Sequence, residues 1–255
     1  TILSSLYFPQ KTIKHFVLLP STNDFATNWC QSDHLPPEGS LVMADLQTAG
    51  KGQGSHTWLS EKGLNLTFSM IYYPDFLPLD RLFALNMVAA LAVWESLQAF
   101  KIPKTSVKWP NDVMIGHQKV AGILIRNTLA GKRIGSSVIG IGLNVNQTVF
   151  PKGLPHATSV AIATGQEQNK MSILQRIIQA FEEKYILLKQ GNFASIKSQY
   201  LRQLYLIGQE SLFYRSDGTP FHGTITGIKD SGHLLIDTQG RIEAFDFQTI
   251  RFGRW

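Results

Sequence analysis

The chain has 255 residues, of which 44% are hydrophobic and 16% are charged, and its formal net charge is +6. This length allows one large domain, or a medium domain followed by a small one. The positive charge is not gathered into a basic run and no aromatic RNA-binding box accompanies it, which favours anionic ligands or an acidic protein partner over nucleic acid. No apolar run approaches the roughly 18 residues that a bilayer span needs.

The N-terminal part of the chain predicts alternating strands and helices. They are a buried strand at 16–19, a helix capped by Ser21-Thr22-Asn23, a strand at 41–44, a strand at 64–72 with one polar face, and a core helix capped by Asp80 that runs to about Phe100. Cys30 is the only cysteine, which excludes an internal disulfide. With no signal peptide visible, we expect a cytoplasmic protein.

The rest of the chain predicts a hairpin, a buried strand, two helices and a small β module. The strands are expected at 107–109, 113–115, 120–125 and 138–145, and the helices at 172–190 and 193–206. After Gly208, four short strands separated by dense turn signals indicate an all-β barrel. We therefore predict two domains, at residues 1–206 and 207–255.

A glycine-rich loop at residues 50–58 reads Gly-Lys-Gly-Gln-Gly-Ser-His-Thr-Trp. Glycine allows positive φ and leaves backbone N–H groups open to an anion. The loop is not a Walker loop, since Lys51 is followed by Gly52, and no long helix begins there as a Rossmann fingerprint requires. Taken alone, it is equally consistent with a tight turn.

A second block at residues 108–112 reads Lys-Trp-Pro-Asn-Asp, and Lys119 follows it in the next predicted strand. A simple turn explains the proline and one acidic residue, but not a lysine on each strand of the hairpin. The hairpin brings Asp112 within reach of Lys119, so the carboxylate can orient the ammonium group. The pattern indicates a site for a phosphate or a carboxylate.

The predicted strand at 138–145 carries Gly140, Gly142 and Asn144. Glycines inside a strand usually mark a close approach to the backbone, here by either a flat ligand or a packed helix. Asn144 offers the paired donor and acceptor that an adenine edge requires. The scattered His residues and lone Cys30 indicate no metal-ligand cluster.

In order and spacing, these blocks resemble the biotin protein ligases. The matching segments are Ser21-Thr22-Asn23, 47–52, Trp58, 63–66, 108–112, 119–124 and 140–144. The resemblance implies an α+β fold whose mixed-sheet catalytic domain is similar to class II aminoacyl-tRNA synthetases and lipoate ligases, followed by a small SH3-like β-barrel. Residues 1–15 are too short for the DNA-binding domain of some relatives, so we expect a single-function ligase.

The resemblance also implies a two-step reaction. ATP with Mg²⁺ converts biotin to biotinyl-5′-AMP, and a lysine of a biotin carboxyl carrier protein domain then takes the biotin and releases AMP. A homodimer is consistent with the family. Two alternatives are a lipoate or octanoate ligase, which needs a long apolar tunnel, and a non-catalytic module that binds biotin or a nucleotide.

Residue roles follow by position from the resemblance. The implied catalytic residues are Lys119, Asp112 and Lys51. The implied biotin contacts are Ser21, Thr22, Asn23, Gln47, Gly50, Lys51, Gly52, Gln53, Lys119, Gly122, Leu124, Gly140 and Gly142. The implied nucleotide contacts are Lys51, Trp58, Lys108, Asn111, Lys119 and Asn144.

The sequence departs from the family pattern at the glycine loop and on the following strand. Lys51, Gln53 and His56 stand where the commonest family loop has arginines, and Arg126 stands where a glutamate is usual. A lysine is a point charge and a glutamine is neutral, so a bidentate arginine clamp on phosphate is not available in this loop. Lys51, Lys108 and Lys119 are left to supply the positive charge.

Overall fold

The computed structural model describes residues 7–54 and 56–253. The helices are α1 (Thr22–Trp29), α2 (Phe83–Ala99), α3 (Val160–Thr164), α4 (Lys170–Lys189) and α5 (Phe193–Arg202). The strands are β1 (Ile13–Leu19), β2 (Leu41–Gln47), β3 (Leu66–Tyr72), β4 (Thr105–Lys108), β5 (Asp112–Ile115), β6 (Gln118–Ala130), β7 (Arg133–Leu143), β8 (Glu210–Arg215), β9 (Pro220–Ile228), β10 (Leu234–Thr238), β11 (Arg241–Phe245) and β12 (Ile250–Phe252). The long elements agree with the predicted ones; the short α3 and β12 were not predicted.

The first seven strands form one mixed sheet in the order β1-β2-β3-β7-β6-β5-β4. β1 and β2 run parallel, and the other neighbours run antiparallel. Helix α1 packs on β2, β3 and β7, and its Ala26 joins Val42, Ile71 and Val138 in a small apolar cluster. Helix α2, backed by α4 and α5, covers the side chains that alternate to the other face. The sheet is thus covered on both faces, which confirms the predicted α+β class.

Strand β3 is more deeply buried than its sequence predicts. Thr67 and Ser69 form the expected polar face, yet all seven residues of the strand are buried. The physical reason is the central position of β3 in the sheet, together with the cover that α1 places over its polar side. Polar side chains at such positions must find partners inside the protein.

Helix α2 begins differently from its prediction. Asp80 does not cap it; residues Leu79–Arg81 form a 3₁₀ turn, and α2 then begins at Phe83 without a side-chain cap. The stretch Leu79–Ala99 is long and apolar enough to cross a membrane by composition alone, but most of it is buried inside the protein. It is buried because α2 lies between the sheet and the helices α4 and α5.

Helix α5 ends at Arg202, earlier than the predicted 206. Leu204 is buried as the helical spacing predicts, but residues 203–207 form turns, with a bridge from Leu204 to Val107 of β4 and Tyr205 N donating to Val107 O at 2.8 Å. Pairing with a neighbouring strand therefore replaces the last helical turn. Leu206 has a positive φ of 63° and Ile207 already bridges to Ile225, so the chain passes to the second sheet at this point.

The remaining strands form a five-stranded antiparallel sheet in the order β11-β10-β9-β8-β12, the SH3-like unit of the predicted fold. It meets the rest of the protein beside the Lys-Trp-Pro-Asn-Asp block. The buried Trp109 donates from Nε1 to the carbonyl oxygen of Gly232 at 2.7 Å, and Phe83 of α2 packs on the same glycine. The division into domains at 206/207 stays a prediction.

We expect Gly232→Ala to weaken this contact between the two sheets. Gly232 has a φ of +94°, and an added Cβ would lie 2.6 Å from the ring of Phe83. Backbone strain of about 1–2 kcal/mol and overpacking of about 1–3 kcal/mol should both reduce the free energy of unfolding, measured by urea denaturation.

Gly240→Ala is the matched control. Gly240 has a similar φ of +87°, but nothing lies within 4 Å of its added Cβ. Only the strain should therefore appear in this variant. Equal losses in the two variants would contradict the inference that Phe83 holds the turn of Gly232 in place.

Candidate functional site

A cavity of about 470 Å³ opens on the α1 side of the large sheet. Three groups of residues line it: the start of α1, the glycine loop, and facing strands of the two sheets. They are Ser21, Thr22, Asn23, Gln47, Lys51, Gly52, Gln53, His56, Thr57, Trp58, Phe68, 108–112, Lys119, 122–124, 140–142, Phe247 and 250–252. The cavity therefore brings together most of the residues that the sequence predicts.

The sheet register forms the floor of the cavity. Neighbouring strands pair so that three glycines, two small polar residues and one leucine come side by side on the α1 face. The two rows are Thr67–Gly142–Gly122 and Ser69–Gly140–Leu124. Because a strand directs alternate side chains to opposite faces, glycine at these positions leaves a depression in an otherwise filled sheet.

Two side chains pack directly onto the glycines of β7. A Cβ at Gly140 would lie 2.5 Å from Asn23 Nδ2, and one at Gly142 would contact the Trp58 indole. The sequence left open whether a flat ligand or a packed helix approaches these glycines. In the structure, a residue of α1 packs on Gly140 and a residue of the glycine loop packs on Gly142. Both side chains line the cavity.

The first turn of α1 supplies a dense polar group. Ser21 caps the helix as predicted, accepting from Asp24 N at 3.2 Å. Thr22 donates to Gln47 Oε1 from its backbone N at 2.7 Å and from Oγ1 at 3.1 Å, and Oγ1 lies 2.9 Å from Ser69 Oγ. This network fixes the helix start against β2 and β3.

Asn23 and Trp58 in the cavity wall each have a buried polar atom without a partner among the described residues, whereas the third such atom, Asp112 Oδ1, forms an ion pair with Lys119. Asn23 donates from Nδ2 to Leu124 O at 3.0 Å, but its Oδ1 has no hydrogen-bond partner among the described residues. Trp58 Nε1 is also buried and also has no hydrogen-bond partner among the described residues. Buried polar atoms rarely stay unpaired, so a ligand with a matching donor and acceptor would bind here favourably.

The glycine loop folds into a small hairpin over the cavity. Gly52 N donates to His56 O at 2.8 Å, and Trp58 N donates to Gly50 O at 3.0 Å. Gly50 packs beneath Trp58 and does not line the main cavity. Ser55 lies outside the described residues.

The loop cation Lys51 is bound to a carboxylate of α1. Its Nζ lies 3.0 and 2.9 Å from the two oxygens of Asp24, and Arg126 of β6 contacts the same Oδ1. Partial burial by itself would raise the pKa of Asp24, but hydrogen bonds from Lys51 and Arg126 and their charges outweigh burial, so the pKa lies below its usual value. Asp24 and Arg126 were not among the predicted site residues.

The predicted hairpin of lysines and a carboxylate forms as expected. Lys108 pairs with Asp112 across β4 and β5, and Lys119 Nζ on β6 lies 2.5 Å from Asp112 Oδ1. Burial lowers the pKa of Lys108, and the charge of Lys119 adds to this lowering while Asp112 opposes it. Asn111 is held by Ile123, with Nδ2 donating to Ile123 O at 2.8 Å.

The second sheet contributes a wall that the sequence did not reveal. Phe247, Ile250, Arg251 and Phe252 line the cavity. Lys108 lies 4.8 Å from the ring centroid of Phe252, so the two sheets meet at this lysine. The three-residue strand β12 is too short to show an alternation of apolar and polar residues, so the sequence did not predict it. Nothing in its sequence indicates that it lies against the first sheet.

Asn144 does not line the cavity. Its Nδ2 donates to Thr158 O at 2.9 Å, and its buried Oδ1 has no hydrogen-bond partner in the part of the chain that the structure describes. The predicted contact between Asn144 and adenine stays a prediction. Among the described residues, no three His, Cys, Asp or Glu side chains gather as metal ligands would.

Comparison with known proteins gives consistent matches. The model of the biotin/lipoate A/B protein ligase family matches residues 16–144. The chain is 37% identical to the bifunctional ligase/repressor BirA of Bacillus spizizenii, over 85% of this chain and 67% of that protein. It is 30% identical to the biotin–[acetyl-CoA-carboxylase] ligase of Paracoccus denitrificans, over 83% of this chain and 90% of that one.

A solved structure matches nearly the whole fold. It is the biotin protein ligase from Aquifex aeolicus in complex with biotin and ATP. The TM-score is 0.79 at 26% identity, and the match covers 95% of this chain and 100% of that one. The likeness therefore includes both sheets.

We expect Thr22→Val to loosen the polar network at the start of α1. The substitution keeps the shape of the side chain but leaves Ser69 Oγ without the Thr22 hydroxyl, in a buried place. The free energy of unfolding should fall by about 1–2 kcal/mol. Thr226→Val, at an exposed position of β9, should change it by less than about 0.5 kcal/mol; equal effects would contradict the assignment.

Proposed function

The chain belongs to the biotin/lipoate A/B protein ligase family, and we propose that the residues of its cavity join biotin to a carrier-protein lysine at the expense of ATP. The observation that carries this proposal is the meeting of three features in one cavity. These are the glycine floor, the polar start of α1 with a spare acceptor, and the cluster of lysines around Asp112. The named relatives are ligases for biotin.

The polar start of α1 suits the head group of biotin. A ureido ring presents two N–H donors and a carbonyl acceptor, which match the free Oδ1 of Asn23 and the hydroxyl groups of Ser21 and Thr22. Lipoate carries a dithiolane ring without such donors, so it would leave these buried atoms unpaired. That difference favours biotin over lipoate.

The lysines suit the chemistry of the first step. A carboxylate oxygen of biotin attacks the α-phosphorus of ATP, the bond from this phosphorus to the bridging oxygen breaks, and pyrophosphate leaves. Negative charge grows on the phosphate oxygens in the transition state, and a fixed cation placed there lowers its energy. We assign this role to Lys119, which Asp112 orients at 2.5 Å, with Lys108 as the second cation.

In the second step the carrier lysine attacks the activated carbonyl carbon. The new C–N bond forms, the C–O bond to AMP breaks, and the amine loses a proton. Lys119 can stabilise the oxyanion that forms and the departing phosphate. We assign the Asp112 carboxylate, beside Lys119, as the base that accepts this proton.

Arg251 of β12 supplies part of the charge that the glycine loop lacks. It lines the cavity from the second sheet. Arginine binds phosphate bidentately, which neither Lys51 nor Gln53 can do. We therefore assign a contact with the nucleotide phosphates to Arg251, and this gives the C-terminal sheet a role in the site.

The cavity offers Asp112 and the amide of Asn111 as oxygen donors near the lysines. Mg²⁺ in nucleotide enzymes keeps several waters and is carried largely by the substrate phosphates, so a site with few protein ligands fits it. When bound, Mg²⁺ would neutralise phosphate charge. The carrier domain as partner, homodimer formation and a cytoplasmic location stay predictions.

The test of the function is biotin-dependent exchange of labelled pyrophosphate into ATP, with lipoate as the control acid. Exchange with biotin alone supports adenylation of biotin, and labelling of an apo carrier domain then supports transfer. Exchange with lipoate alone would overturn the choice of acid. Binding of biotin without any exchange would favour the alternative of a non-catalytic module that binds biotin.

We expect Lys119→Ala to slow pyrophosphate exchange by about 10²-fold or more, because one charge-stabilising donor is lost from the transition state. The thermal melting curve should be largely retained. Lys189→Ala, which removes an exposed lysine at the end of α4, is the control and should exchange at the wild-type rate. An unchanged rate in Lys119→Ala would remove Lys119 from the mechanism.

We expect the KM for ATP to rise toward alkaline pH. The folded pKa of Lys108 lies below its usual 10.5, chiefly through burial, so its charge is present below that folded pKa and is lost as the pH rises through it. Lys108→Arg keeps its charge throughout this range and should flatten the profile. A profile that is the same in both proteins would contradict a phosphate contact of Lys108.

A further inference from the structure

We propose that Arg126 is a positioning residue that holds the carboxylate of Asp24, so that Lys51 can leave Asp24 and bind a phosphate in the cavity. The inference rests on the proposed function. It concerns a residue that the sequence marked as unusual and that the mechanism above does not use.

The three residues form one charge cluster on the rim of the cavity. Lys51 contacts both oxygens of Asp24, and Arg126 contacts Oδ1 from the side of β6. All three are partly exposed, with side-chain exposures of 45% for Lys51, 33% for Asp24 and 35% for Arg126. These three side chains are therefore exposed enough to solvent to change their ion pairs without any opening of the hydrophobic core.

Arg126 does not reach the ligand cavity itself. It lines an adjoining cavity beside the glycine loop, which shares residues such as Lys51 and His56 with the main one. Lys51 lines both cavities. The ion pairs of Arg126 with Asp24 and of Asp24 with Lys51 give Arg126 a direct route to a ligand in the main cavity.

When ATP binds, its phosphates compete with the Asp24 carboxylate for the ammonium group of Lys51. Its ammonium is bound to Asp24 in the structure, so a phosphate can gain this cation only if the carboxylate gives it up. Among the described residues, the ion pairs of Asp24 are those with Lys51 and Arg126. Without Arg126, the departure of Lys51 would leave a partly buried carboxylate with no cation, which is costly.

The chemistry of the two cations fits this division. A guanidinium group presents several N–H donors in a fixed plane and can bind both oxygens of a carboxylate. Arg126 can thus take the oxygen that Lys51 vacates. Lysine has a flexible stem and a single charged group that can turn between partners, which suits the mobile member of the set.

A static brace is the competing explanation. In that case the cluster would only fix the glycine loop to α1, and loss of either Asp24 or Arg126 would damage the site in the same way. The two explanations differ in what removal of the Asp24 charge should do. If Asp24 competes for Lys51, neutralising it frees the cation; if Asp24 braces the loop, neutralising it loosens the loop.

The test is the KM for ATP in pyrophosphate exchange at saturating biotin. We expect Arg126→Ala to raise this KM about tenfold, which corresponds to about 1.4 kcal/mol, with kcat little changed. Arg126→Lys should lie between the wild type and Arg126→Ala, because it keeps the charge but not the planar group that binds both oxygens. Arg202→Ala, which removes an exposed arginine of α5, is the control for a lost positive charge and should leave KM unchanged.

The double variant decides between the explanations. Asp24→Asn alone should not raise KM, and Asp24→Asn combined with Arg126→Ala should return KM to near the wild-type value. A rise in Asp24→Asn equal to that in Arg126→Ala, or a double variant as poor as Arg126→Ala, would overturn the proposal. Asp24→Asn alone separates the two explanations even if Arg126→Ala fails to fold, which the ligand-free melting curve reports.

The proposal and the function fail in different ways. If the wild-type protein gives no exchange with biotin, the proposed function is wrong. If the wild type exchanges and Lys119→Ala is slow, but KM is the same in wild type and in a folded Arg126→Ala, only the role of Arg126 is wrong.

Discussion

The site depends on neighbouring sheet positions that carry no side chain. Gly122, Gly140 and Gly142 lie together on one face because β6 and β7 pair in a register that aligns them. Protein interiors are close-packed, so ordinary residues at these positions would fill the space with their own side chains. Glycine weakens a strand, but β7 lies between β3 and β6, and the ladders on both sides hold it in place.

The positive charge of the site comes from rigid elements more than from the loop. Lys108 and Lys119 project from paired strands, and Asp112 between them limits their motion. Side chains held by strands keep their geometry better than those on a mobile loop. A chain that lacks arginines in its glycine loop thus takes its cavity cations from two other places: Lys108 and Lys119 of the hairpin strands, and Arg251 of β12.

The parts of the site that are local in sequence were predictable, and those made by distant contacts were not. The cap at Ser21 and the Lys-Trp-Pro-Asn-Asp hairpin follow from turn and capping chemistry within a few residues. The partnership of Asp24 with Arg126 joins residues 102 positions apart, and no short-range pattern encodes it. The early end of α5 has the same origin, since pairing with β4 overrides an apolar spacing that is typical of a helix.

The cavity takes its wall residues from Ser21 to Phe252, almost the whole length of the chain. Synthesis on the ribosome makes the N-terminal part first, so α1 and the glycine loop emerge long before β12. A nascent chain therefore has a half-built site that lacks Arg251 and Phe252. The wall of the cavity is complete only when the second sheet has folded onto the first.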